Sequence, residues 1–186
     1  MSTRCQLRFT ETDSDRVAQI YRHSDGYPRS VLPLLEILEN QQELLRETGT
    51  QRDASYAAAQ FILVDKLQYI THTTESKNET YSNWPDTIDS VLDPEAWKQV
   101  DATPTYLLGH GVEDPSCGIH GDEEYLYVIE LPARSPFENP ANWRIKISEH
   151  CGFPRWEEPT EDAFEVADWQ FEGTLSEAIA EVEEGR

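Results

Sequence analysis

Lysine is scarce in this sequence. Only Lys66, Lys77, Lys98 and Lys146 occur among 15 basic residues, against 36 acidic ones, for a formal net charge of -21. No basic patch is visible beyond Arg4 and Arg8, with Arg22 and Arg29 nearby, so direct nucleic-acid binding is not expected. Long apolar runs are also missing. No stretch approaches the roughly 18 uncharged apolar residues that a membrane span requires. The opening "MSTRCQLRF" has no apolar core of a secretory signal, so no membrane contact and a cytoplasmic location are expected. Cysteine is limited to Cys5, Cys117 and Cys151, with no CxxC pair, which argues against a disulfide framework or a zinc site of usual spacing. HExxH, Walker and GxSxG motifs are absent as well.

Acid is present in abundance, and it is spread along the whole chain. A charge of this size repels itself in dilute salt. Molar salt shortens the Debye length to about 3 Å and screens most of that repulsion. With 38% hydrophobic residues there is still enough apolar material for a core. An acidic, lysine-poor chain that keeps a core points to an extreme halophile or one of its viruses. The sharper alternative is an acidic DNA mimic that occupies a basic groove on another protein.

Periodicity predicts a single α+β domain over residues 1–186. Residues 4–10 alternate, with Cys5, Leu7 and Phe9 on one face and Arg4, Gln6 and Arg8 on the other. "ETDSD" is a turn, and 16–23 reads as a second strand, so the chain starts with a β-hairpin. A helix follows with Ser30 as N-cap and an apolar stripe from Leu32, Leu35, Leu38 and Leu45, with Ile37 and Leu44, ending at Gly49. A second helix, from about Asp53 to Thr71, is apolar on most sides and is expected to be buried. Residues 72–104 are polar and broken by prolines, as in an insertion. Strands are predicted over 105–113, 124–131, 143–149 and 169–174, then a helix capped at Thr174 or Ser176. Consecutive strands with short links favour an antiparallel sheet of about five to six strands, covered by two main helices.

Two polar turns carry more chemistry than a turn needs. In "HSDGYP", Asp25, Gly26 and Pro28 suffice for the chain reversal, with Gly26 expected to supply the positive φ, and Tyr27 is held extended before proline. His23 is surplus. In "GIHGDEEYLYVI", Gly121 and Asp122 close the loop and His120 is surplus. His110, between Gly109 and Gly111, is a third. The "MSTRCQLRF" start, the "YRHSDGYP" turn and the "GIHGDEEYLYVI" segment resemble a family of uncharacterised proteins common in tailed phages and prophages. The match covers residues 1–38 and about 104–131, and this chain is similar to a haloarchaeal or haloarchaeal-virus version. That resemblance implies a viral or proviral context and no particular reaction.

Were the sheet to gather these turns, His23, Asp25, His110, His120 and Asp122 would form an imidazole and carboxylate cluster. His23, His110 and His120 are then candidate ligands for a divalent transition metal, which would activate water for hydrolysis, for instance of a phosphodiester. Without metal, His23 and His120 would act as base and acid, oriented by Asp25 and Asp122. Tyr27, His110 and Tyr125 are candidate binding residues. A single histidine at a strand end more often makes a structural hydrogen bond. The leading expectation is an accessory protein that binds a host protein or a small ligand, with Phe153, Trp156 and Trp169 as possible anchors. A small metal-dependent or histidine-based hydrolase is the runner-up.

Overall fold

A computed structural model describes residues 3–48, 53–75, 109–119, 123–132, 143–149, 164 and 167–185. The chain opens with the hairpin expected from its alternation. β1 (Cys5–Glu11) pairs antiparallel with β2 (Ser14–Arg22), setting Cys5 opposite Arg22, Leu7 opposite Ile20 and Phe9 opposite Ala18. Helix α1 (Pro28–Glu47) follows, then α2 (Ala54–Glu75). β3 (His110–Glu113), β4 (Tyr125–Leu131), β5 (Arg144–Glu149) and β6 (Phe171–Thr174) complete a six-stranded sheet in the order β3-β2-β1-β4-β5-β6. Helix α3 (Leu175–Glu184) ends the described chain. The architecture is α+β, as the pattern of elements predicts.

The sheet corrects the expectation of a purely antiparallel arrangement. β1 and β4 pair in parallel, so the sheet is mixed. The expectation rested on short links joining neighbours. Here the link from β3 to β4 does not join neighbours: it passes β2 and β1 on the side away from the helices. Its 3-10 turn, Pro115–Cys117, lies over the hairpin, where Arg8 donates to the Pro115 carbonyl and Gln6 to the Gly118 carbonyl. A link that covers a sheet face buries polar side chains in return. Gln6 and Gln19 are fully buried, and both donate to the Gly118 carbonyl and to Glu113. The polar face of β1 is therefore largely covered, and the buried amides are satisfied as their burial requires.

The main core lies between the other face and the helices. Leu7, Phe9, Ile20, Tyr127, Ile129 and Ile145 meet Val31, Leu32, Leu35, Leu38 and Phe61. Ala54, Ala57 and Ala58 give α2 a small-residue face that lets it lie close on β1 and β2. Phe9 and Phe61 pack with centroids 6.1 Å apart at 57°. In α1, Ile37 and Leu44 are exposed rather than part of the buried stripe, and Leu34 is buried in their place. α1 also begins earlier than its expected Ser30 cap. Pro28 fills the first helical position, where a missing N–H costs nothing, and the Tyr27 carbonyl accepts from the Ser30 and Val31 amides. α2 is started by Asp53, whose carboxylate accepts from the Tyr56 amide, and by Glu11, which accepts from the Ala54 amide at 2.7 Å. α3 has Thr174 as its cap, with a reciprocal bond between Thr174 and Glu177. The segment 76–104 and the predicted strand residues 105–108 lie outside the described residues. No helix among the described residues is long and apolar enough to cross a membrane.

Candidate functional site

The HSDGYP turn is built by close approach. Asp25, not Gly26, adopts the positive φ, at 56°. Gly26 serves another purpose: a Cβ there would stand 2.7 Å from the Cys5 Cβ and 2.8 Å from the Arg4 carbonyl carbon. Its N–H donates to Thr3 and its carbonyl accepts from the buried Tyr127 hydroxyl at 2.7 Å. The turn is thus pressed onto the start of β1, and both peptide groups of Gly26 are satisfied where a side chain could not fit.

Beneath the turn sits a cluster of charge in the core layer. Arg22 lies on the helix face of β2, in step with Ala18 and Ile20. Its guanidinium grips Asp65 of α2 with Nε to Oδ2 at 2.9 Å and Nη2 to Oδ1 at 2.8 Å, a two-point pairing. Nη1 donates to the Asp25 carbonyl and to Ser30 Oγ. β3 delivers His110 directly opposite Arg22, and His110 Nε2 stands 2.9 Å from Asp65 Oδ2. That contact has the distance of an ion pair without the alignment of a hydrogen bond: neither buried ring nitrogen of His110 has a hydrogen-bond partner of good geometry. The ring meets the Phe61 ring edge-on, centroids 6.1 Å apart. Burial by itself would raise the Asp65 carboxyl, but the His110 contact and the Arg22 charge outweigh it and hold Asp65 below the ordinary aspartate range. Cys5, next in the same cross-strand row, is fully buried, and burial pushes its thiol far up despite the Arg22 charge.

The other predicted residues are dispersed. His23 leaves β2 on the opposite side of the sheet from Arg22. Its Nδ1 is 3.1 Å from the Tyr21 hydroxyl, and its amide donates to Gly109. His23 and His110 are therefore on opposite faces and do not converge. The Asp25 side chain is exposed. Tyr27 is exposed beside the helix start, and Tyr125 is half-buried with its ring stacked 6.3 Å from that of Tyr127. His120, Asp122, Phe153 and Trp156 lie outside the described residues. Trp169 packs half-buried against Ile119, Leu126 and Phe164, the small cluster that covers the second sheet face. Arg8 lies 3.7 Å over the Phe164 ring. Among the described residues, no three His, Cys, Asp or Glu side chains are grouped as metal ligands would be.

Arg22 and Asp65 escaped the sequence reading, yet each leaves a signal. Arg22 occupies an apolar-phase position of its strand, and Asp65 is a lone acid in the apolar run "AAAQFILVDKLQYI". Two opposite charges, each misplaced on a buried face, predict a pair.

The outer face of α2 is the other distinctive surface. From Ala54 to Gln68 its exposed residues are Ser55, Tyr56, Ala59, Leu63, Leu67 and Gln68, all uncharged. Leu63 is 57% exposed and Tyr56 53%. The neighbouring surfaces differ. α1 exposes Glu36 and Glu47 along with Ile37 and Leu44, and α3 exposes Glu177, Glu181, Glu183 and Glu184.

Comparison with known proteins returned no matching family model, no matching curated protein and no matching solved structure.

Proposed function

We propose that this chain is a viral or proviral accessory protein of a halophile that works in the cytoplasm by binding another protein. The observation that carries the reading is the contrast on its surface. A chain with a net charge of -21 has no acidic residue among the exposed residues of α2 between Ala54 and Gln68, and places Tyr56, Leu63 and Leu67 there with Lys66 half-exposed beside them. A helix that is apolar all round is normally enclosed. An exposed apolar face framed by acidic ones marks an interaction surface. The acidic remainder suits molar salt, where charge keeps the protein hydrated and apart from its neighbours.

A photo-crosslinking residue at position 63, introduced into the full chain in a halophilic host, tests the reading. Adducts are expected from position 63 and not from a control at Glu181 on α3. Equal yields from both positions, or none from either, would refute it.

A histidine-centred hydrolase is the weaker reading. It would draw on His110 and Asp65 sooner than on His23, because only His110 has a carboxylate within 2.9 Å among the described residues. Its test is loss of any hydrolytic activity in His110→Gln with the fold retained.

A further inference from the structure

We draw no further inference here: the strongest candidate, the buried His110 side chain at the start of edge strand β3, whose two ring nitrogens have no well-aligned hydrogen-bond partner, belongs to the Arg22 and Asp65 cluster already described, and nothing in the structure shows what the ring would bind.

Discussion

Replacing Asp65 with asparagine removes the carboxylate that Arg22 grips at 2.8 and 2.9 Å, while keeping the shape of the side chain. Arg22 then stays in the core layer with 7% of its side chain exposed, holding only the Asp25 carbonyl and Ser30 Oγ at 3.2 Å among its described partners. Breaking a buried ion pair by removing one partner costs about 3–5 kcal/mol. Asp65 keeps 15% exposure and Arg22 keeps two neutral acceptors, so the lower end applies, about 3 kcal/mol. For a chain of this size that is a fall in Tm of about 6–12 °C. The pair is shielded from solvent, so the loss should persist in about 3 M KCl, where surface charges are screened. Arg16, 58% exposed in its pair with Asp53, gives the contrast: Arg16→Ala should cost less than about 1 kcal/mol and still less in high salt. The pH dependence has a definite sign. Asp65 has a folded pKa below its unfolded one, so its contribution is complete above an unfolded value near about 3.9 and is lost as pH falls through the folded value. The gap between wild type and Asp65→Asn should therefore close only in that acid range. Thermal melts of both proteins in high KCl, from pH 7 downwards, measure all of this. A loss below about 1 kcal/mol, or one that vanishes with salt, would refute the assignment of a shielded structural pair. The double variant Arg22→Met/Asp65→Leu should recover most of the loss, because apolar side chains of similar size leave no stranded charge.

Three further outcomes follow from other parts of the fold. Gly26→Ala must displace the backbone of Arg4 and Cys5, which its Cβ would approach at 2.7–2.8 Å, and should lower stability by about 1–3 kcal/mol in denaturant titration; a neutral result would mean the turn is not pressed onto β1. Thr174→Ala removes the cap of α3 and should cost about 1 kcal/mol by the same titration, with Thr174→Ser restoring most of it. Cys117 is exposed and should alkylate in the native protein, whereas the buried Cys5 thiol should label only after denaturation, as peptide mass mapping would show; early labelling of Cys5 would contradict its place in the core.

Much of the fold was legible because period and burial agree. The alternation of Cys5, Leu7 and Phe9, the paired helices after the hairpin and the Thr174 cap all follow from local pattern, and the structure carries each. The turns were harder. Asp25 and Gly26 divide the work differently from expectation, because which of two adjacent residues takes a positive φ depends on what each is pressed against. Gly26 must face Cys5 and Arg4, a contact made across the fold. The grouping of histidines was not legible, because period two places His23 and Arg22 on opposite faces, and only the pairing of β3 with β2 sets His110 beside Arg22.

By itself the sequence determined the strands, the helices, the acidic balance and the composition of each face, since these depend on residues near one another in the chain. Tertiary structure decided which strands are neighbours. β1 lies parallel to β4 because the link from β3 crosses the hairpin and covers its second face, and the covering is stabilised by contacts between residues about a hundred positions apart, such as Gln6 with Glu113. It also decided that Arg22, Asp65 and His110 share one small volume. No local rule reaches across that separation, because the free energy that selects it comes from burying all three together.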